Sequence, residues 1–280
     1  MTETKGPNQW AFRLTRILNQ TLGDDHFPID VKMVAREFSR QLYPEDPISA
    51  IMSGSLPGFE GALVPAPPGE KGWGIIFNED VRSKGRINFT LAHEFGHYLC
   101  HRLDGPAEFR CTNKDTYRWD DDYAVMEREA NQFAANFLMP LDDYRRHIPG
   151  DQTVDIDMVS SMADRYGVSF MAACLRWISY TSVPAVFVLS RDGFIVWARS
   201  SKAAMRRRAY FKRSGGPVEV PEGALAHGAL DERAKSGVMM PSCVWFGREC
   251  KEVSFAADAY DYVFSLVFVG EMPWSNDSDE

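Results

Sequence analysis

The sequence predicts an α+β protein with two parts, a mostly helical N-terminal domain with a small sheet at residues 1–180 and a β-rich C-terminal domain at residues 181–280. Two observations support this division. Apolar residues recur at helical spacing in several segments before residue 180, whereas short β-branched and aromatic runs dominate after it. A chain of 280 residues is also long enough for each part to bury a core of its own.

Composition and charge exclude several classes of protein. A chain with 45% apolar and 25% charged residues is typical of a folded globular protein and not of a disordered or fibrous one. The net charge of −8 disfavours direct binding to a nucleic-acid backbone. The apolar runs are shorter than the roughly 20 residues that span a bilayer, so we expect no membrane insertion. Five scattered cysteines without a CxxC pair predict a reduced, cytoplasmic protein.

The elements of the N-terminal part follow from periodicity and from residues that end helices and strands. Trp10, Leu14 and Leu18 lie one turn apart and predict an amphipathic helix that ends at Gly23. Asp30 predicts the N-cap of a second helix. The remaining predictions are two short strands within residues 48–65, a turn at 65–72, a strand over 73–77, helices over 85–101 and 121–138, and two short helices within 154–178 that are separated at Gly167.

The C-terminal part has the pattern of a sheet built from short strands. Runs of β-branched and aromatic residues alternate with Gly, Pro and charged segments. The predicted strands cover residues 183–189, 194–198, 218–220, 244–246 and 262–269, and residues 276–280 form a polar tail.

The most informative segment is the HExxH motif at residues 93–97. Because His93 and His97 are four residues apart on a predicted helix, both imidazoles leave the same face and can reach one Zn²⁺ ion. Glu94 lies beside that face, where it can act as a general base toward a water molecule without being a ligand. Apolar residues around the motif predict a buried helix, in which two histidines and a glutamate need partners.

A catalytic zinc ion takes three protein ligands and keeps one position open. A third histidine six residues after His97 would be typical of metzincins, but that position is Leu103. Three ligands in a row on one straight helix cannot surround a tetrahedral ion, so we assign His101 to the outer shell or to the helix end. A carboxylate from the next helix is the alternative.

Two glutamates of the next helix, Glu127 and Glu129, compete for this position. Helical phase places Glu127 at the head of an apolar stripe, with Asn131 one turn further on, and places Glu129 on the polar face. We therefore favour Glu127 as the third ligand and regard Glu129 as solvated or as an outer-shell partner. Asn131 could form a hydrogen bond, as a second-shell residue, to a histidine that binds the metal. A hydrogen bond that serves only helix packing is the other interpretation. Gly96 predicts the close approach of a neighbouring element.

The HEFGH motif at 93–97, followed by the segment EREANQFAANFLMP at 127–140, resembles the ImmA/IrrE family of metallopeptidases. The resemblance covers roughly residues 30–180. It implies a zincin-like unit of the gluzincin type, in which His93, His97 and Glu127 bind Zn²⁺ and Glu94 is catalytic. It also implies a protein substrate, namely a DNA-binding repressor of the helix-turn-helix type whose cleavage releases transcription.

The motif leaves the oxyanion donor and the substrate path open. Tyr98, Tyr123, Tyr144 and His147 are candidates for the donor. The strand at 73–77 precedes the zinc helix, and its edge could pair with an extended substrate; an ordinary core strand is the other interpretation.

The leading hypothesis is a zinc-dependent endopeptidase that cuts a repressor. One alternative is a non-proteolytic, zinc-containing regulator that binds a repressor or DNA. Another is a component of a toxin–antitoxin or phage-defence pair. No organic cofactor site is predicted.

Overall fold

The computed structural model describes residues 6–103, 109–111, 122–212, 216–228, 230–257 and 261–270. It is a mixed α+β structure with two sheets in the described residues, which confirms the predicted α+β class. The chain divides into two compact units. The first consists of Met1–Tyr144 and Ser161–Ala172, and the second of Arg145–Ser160 and Ala173–Glu280. Within the described ranges, no helix has the length and apolar character that crossing a bilayer requires.

Except for α5, which the sequence analysis does not predict, the helices before residue 181 begin and end close to the predicted positions. Asp30 caps the second helix by accepting a hydrogen bond from the Met33 amide at 3.0 Å, and Gly167, with a φ of +59°, separates the last two. The helices are α1 (Pro7–Leu22), α2 (Val31–Leu42), α3 (Lys84–His101), α4 (Asp122–Leu138), α5 (Leu141–His147), α6 (Ile156–Tyr166) and α7 (Phe170–Tyr180).

The first unit contains a four-stranded sheet with the order β1-β3-β2-β4. Its strands are β1 (Ile48–Gly54), β2 (Gly61–Pro65), β3 (Trp73–Asn78) and β4 (Phe109–Cys111). β3 pairs in parallel with β1 and antiparallel with β2. The expectation that the edge of the 73–77 strand could pair with substrate is therefore wrong, because both edges of β3 are occupied. The alternative, a core strand, is confirmed by the full burial of Ile75.

Helices α3 and α4 pack against each other in this unit, and Gly96 permits their close approach. A β-carbon on Gly96 would lie 3.0 Å from Phe133 Cδ1 and 3.2 Å from Ala130 Cα. The absence of a side chain at residue 96 thus lets the backbone of α4 lie directly on α3, as the sequence predicts. The apolar stripe of α4 is fully buried, with no exposed area at Ala130, Ala134, Phe137 or Leu138.

The second unit contains a six-stranded antiparallel sheet with the order β7-β6-β5-β10-β9-β8. On one face, a core cluster surrounds Trp245 and includes Val186, Val188 and Val267. Its strands are β5 (Ala185–Arg191), β6 (Phe194–Ser200), β7 (Val218–Glu219), β8 (Val238–Met240), β9 (Cys250–Ala257) and β10 (Tyr262–Val269), and two short helices, α8 (Lys202–Arg206) and α9 (Glu232–Ser236), lie between them.

One predicted strand of this unit is wrong, and two strands, β8 and β9, were not predicted. Residues 244–246 form a turn, because Val244 and Trp245 enter the core from a loop and Phe246 has a φ of +51°. The strand β9 follows instead at Cys250–Ala257, where the buried Glu252 interrupts the apolar pattern. The carboxylate of Glu252 accepts a hydrogen bond from Trp245 Nε1 at 2.7 Å, and this bond explains how the acidic side chain lies inside the unit. The predicted polar tail at 276–280 lies outside the described residues.

Candidate metal centre

Helix α3 carries the HExxH motif deep inside the first unit. Ser83 caps its start by accepting a hydrogen bond from the Arg86 amide at 3.3 Å. Every residue from Thr90 to Leu99 is buried. His93 and His97 lie one turn apart on the same face, and their ring centroids are 4.7 Å from each other.

Helix α4 brings Glu127 to the two imidazoles. The Nε2 atoms of His93 and His97 are 3.0 Å apart. Glu127 Oε2 lies 3.2 Å from His93 Nε2, and Glu127 Oε1 lies 3.1 Å from His97 Nε2. All three side chains are at least nine-tenths buried. The structure therefore joins the three residues that the sequence selected as ligands into one buried triangle of donor atoms.

The size and chemistry of this triangle fit a transition-metal ion of the zinc type. Nitrogen and carboxylate oxygen donors at about 2.0–2.1 Å from a tetrahedral ion lie roughly 3.3 Å from one another. The observed separations of 3.0–3.2 Å come close to that value. In the part of the chain that the structure describes, His93, His97 and Glu127 form a group that could hold a metal ion.

The other glutamate of α4 has a different partner. Glu129 Oε2 lies 2.9 Å from His101 Nε2, and 41% of the Glu129 side chain is exposed. His101 in turn contacts His97, with 3.1 Å between the two Nδ1 atoms. On the other imidazole, Asn131 Oδ1 lies 3.0 Å from His93 Nδ1. The structure thus places Glu129, His101 and Asn131 in an outer shell around the triangle.

Burial and the neighbouring carboxylates shift the pKa values of the three inner residues. Burial lowers the pKa of His97 to about 4, although the hydrogen bond with Glu127 acts to raise it. Burial also acts to lower the pKa of His93, but the hydrogen bond to Glu127 and the charges of Glu94 and Glu127 outweigh it and raise that pKa. For Glu127, hydrogen bonds from both imidazoles overcome burial and hold its pKa well below the ordinary value. The carboxylate form required of a metal ligand is therefore favoured.

Glu94 lies beside the triangle but outside it. Its side chain is fully buried, and its charge contributes to the raised pKa of His93. Strand β2 covers it at Gly61, where a β-carbon would lie 2.5 Å from Thr90 Cγ2 and 2.7 Å from Glu94 Oε1. A glycine at this position therefore leaves the room that the Glu94 carboxylate occupies.

The candidates for an oxyanion donor have different surroundings. Tyr98 donates its hydroxyl hydrogen bond to the Asp46 carbonyl at 2.6 Å, so it is engaged away from the triangle. Tyr144 stacks on Tyr166, with 5.4 Å between ring centroids. His147 is an exposed residue of the second unit. The side chain of Tyr123 lies outside the described part of the chain.

Two residues of the site escaped sequence reasoning. Phe109, on the three-residue strand β4, stacks on His97 with ring centroids 4.5 Å apart and an interplanar angle of 24°. Gly61 lies within residues 48–65, for which the sequence predicts two short strands, but that pattern does not connect it to the site. A strand as short as β4 has no periodic pattern, and a lone glycine in a strand indicates a close approach without naming the partner.

Comparison with known protein families agrees with this geometry. Residues 50–177 match the sequence model of a peptidase family, M78, that is described as the IrrE N-terminal-like domain. The matched segment begins in β1, ends in α7 and contains His93, Glu94, His97 and Glu127. No curated protein gives a significant match to the chain. Over residues 50–177, the chain therefore matches the ImmA/IrrE family of metallopeptidases, which confirms the resemblance indicated by the HEFGH motif and the segment at 127–140.

Proposed function

We propose that this protein is a zinc-dependent endopeptidase that hydrolyses a peptide bond in a protein substrate. The observation that carries the proposal is the buried triangle of His93, His97 and Glu127, with Glu94 next to it on the same helix. Two imidazoles and one carboxylate are the ligand set of catalytic zinc sites that keep one position open.

Each residue then has a defined task. His93, His97 and Glu127 would hold the ion, and zinc, when bound there, would supply the Lewis acidity that polarises a carbonyl and acidifies water. Glu94 accepts a proton from the attacking water and passes it to the nitrogen of the leaving amine. Burial of Glu94 beneath Gly61 holds its carboxylate next to His93 and limits its contact with bulk solvent.

The proposed substrate is a helix-turn-helix transcriptional repressor. This part of the proposal rests on the family whose sequence model matches residues 50–177. The test is incubation of the purified protein, with zinc, with the product of a helix-turn-helix reading frame adjacent to its gene. Intact-mass spectrometry should show two fragments whose masses sum to that of the repressor plus one water. A repressor that is inactivated without fragments would favour a non-proteolytic regulator instead.

The metal and the chemistry are tested separately from the substrate. Elemental analysis should find about one zinc per chain in the wild type and none in a His93→Ala, His97→Ala double variant. Glu94→Gln should retain zinc and lose cleavage, whereas the exposed Glu79→Gln serves as a matched control and should retain both. Cleavage by the Glu94→Gln variant would exclude Glu94 as the general base.

A further inference from the structure

A chain of hydrogen bonds links one inner histidine to the protein surface. His97 Nδ1 lies 3.1 Å from His101 Nδ1, and His101 Nε2 lies 2.9 Å from Glu129 Oε2. His97 is fully buried and His101 is 5% exposed, whereas 41% of the Glu129 side chain is exposed. This series of hydrogen bonds therefore begins at the solvent-exposed carboxylate of Glu129 and ends at His97, a member of the triangle of donor atoms.

With Glu129 ionised and His101 neutral, the donors and acceptors of these side chains set the direction of both hydrogen bonds. An ionised carboxylate can only accept, so His101 Nε2 must carry the proton that it donates to Glu129. In a neutral imidazole the other nitrogen is then an acceptor, and His101 Nδ1 receives the hydrogen bond from His97 Nδ1–H. The proton of a neutral His97 is thereby assigned to Nδ1. Its Nε2, which faces His93 and Glu127, is left with the lone pair that a metal ion requires.

Helix α4 orients the two imidazoles by different means. His93 Nδ1 lies 3.0 Å from a neutral acceptor, Asn131 Oδ1. His97 is held through a second imidazole that is itself fixed by a carboxylate. The ring of Phe109 stacks on His97, which restricts the rotation of that ring further. Outer-shell partners of this kind fix the tautomer and the ring orientation of a metal-binding histidine.

We propose that His101 and Glu129 are positioning residues that select the Nδ1–H tautomer of His97 and so prepare its Nε2 to bind the metal ion. The proposal rests on the proposed function only in that a metal ion occupies the triangle. It assigns roles to two residues that are neither ligands nor participants in proton transfer to the substrate.

The test is the zinc affinity of purified variants, measured by competition with a chelator. His101→Phe keeps a planar ring but has no hydrogen-bonding atoms, and we expect it to weaken zinc binding by about 10- to 100-fold. His101→Gln offers both an acceptor for His97 and a donor for Glu129, so it should restore most of that affinity. If packing alone mattered, His101→Phe would bind zinc at least as well as His101→Gln, and that order of affinities would overturn the proposal.

A double-mutant cycle tests whether the two residues act in series. Glu129→Ala should weaken zinc binding, and it should have little further effect when His101 is already Phe. Gln132→Ala, an exposed change on the same helix, is the matched control and should leave the affinity unchanged. Additive losses from His101→Phe and Glu129→Ala would contradict a single chain of hydrogen bonds.

A second measurement does not depend on affinity or on cleavage. Long-range ¹H–¹⁵N correlation spectra of the zinc-loaded protein should show His101 as the Nε2–H tautomer and His97 with its proton on Nδ1. A His101 ring that carries its proton on Nδ1 would overturn the proposal even if the protein cleaves its substrate. Conversely, a protein that binds zinc with this order of affinities but cleaves no repressor would overturn the proposed function alone.

Discussion

Gly61 of β2 lies directly against Glu94 of α3, since a β-carbon on Gly61 would lie 2.7 Å from Glu94 Oε1. The nearest atom to that β-carbon would be Thr90 Cγ2, at 2.5 Å. Both contacts are far shorter than packed side chains tolerate. The strand therefore determines where the carboxylate of the proposed general base can lie, although it contributes no functional side chain at this point.

This contact predicts the effect of Gly61→Ala. The added methyl group must displace Thr90 and the Glu94 carboxylate, so we expect a loss of stability of about 1–3 kcal/mol. Peptide hydrolysis should fall much further than zinc affinity, because Glu94 is not a ligand. Chemical denaturation, zinc titration and a cleavage assay give the three values. A variant with full activity would show that the carboxylate has room to move.

Gly96→Ala tests the close contact between α3 and α4. Alanine would raise helix propensity by up to about 1 kcal/mol in an isolated helix. In this protein its β-carbon would meet Ala130 Cα at 3.2 Å and Phe133 Cδ1 at 3.0 Å. We therefore expect a net loss of about 1–3 kcal/mol in the free energy of unfolding, together with weaker zinc binding as α4 moves outward. Denaturation by urea would contradict this if it showed a more stable variant.

Asn131 should influence zinc affinity through His93. Asn131→Leu removes the acceptor that lies 3.0 Å from His93 Nδ1, and we expect zinc binding to weaken by about 10- to 100-fold. Asn131→Asp keeps an acceptor at the same place and is the matched control, with affinity close to the wild-type value. Equal losses in both variants would indicate that Asn131 acts through helix packing.

The low pKa of His97 predicts a pH dependence of the metal-free protein. Burial lowers this pKa to about 4 in the folded state, against about 6.5 in the unfolded chain. As the pH falls from about 6.5 to 4, the unfolded chain takes up a proton that the folded protein does not, so stability is lost by up to about 3 kcal/mol. The raised pKa of His93 acts in the opposite direction.

His97→Gln isolates the contribution of His97. Urea denaturation in the presence of a chelator should show a smaller loss of stability toward acid for the variant than for the wild type, since only the wild type carries this buried neutral imidazole. Parallel pH profiles for the two proteins would show that another group controls acid stability.

Asp143 connects the start of α5 to the end of α6 within the first unit. Its carboxylate is 4% exposed and accepts hydrogen bonds from Tyr166 Oη at 2.7 Å and from Arg165 Nε at 3.0 Å. Asp143→Ala should cost about 3 kcal/mol of stability, because it leaves both donors without their buried acceptor. Asp25→Ala removes the solvent-exposed partner of the same arginine and should cause no measurable change. Similar losses in the two variants would contradict the importance of burial.

The sequence by itself determined the local part of the site. The four-residue spacing of His93 and His97 is set by the period of the α-helix, so their common face followed before any fold was known. The phase of α4 favoured Glu127 for the same reason. The Asp30 cap and the break at Gly167 are local too, because each depends on a few neighbouring residues.

Only the tertiary structure decided which of these residues meet. The close packing of α4 on Gly96 accompanies the approach of Glu127 to the imidazoles and of Glu129 to His101. Pairing within the sheet placed β3 between two other strands. Phe109 on His97, Gly61 on Glu94 and Trp245 in a core turn are likewise contacts between distant segments. Periodicity indicates which face of a helix or strand is buried, but packing across the whole unit determines which segment that face contacts.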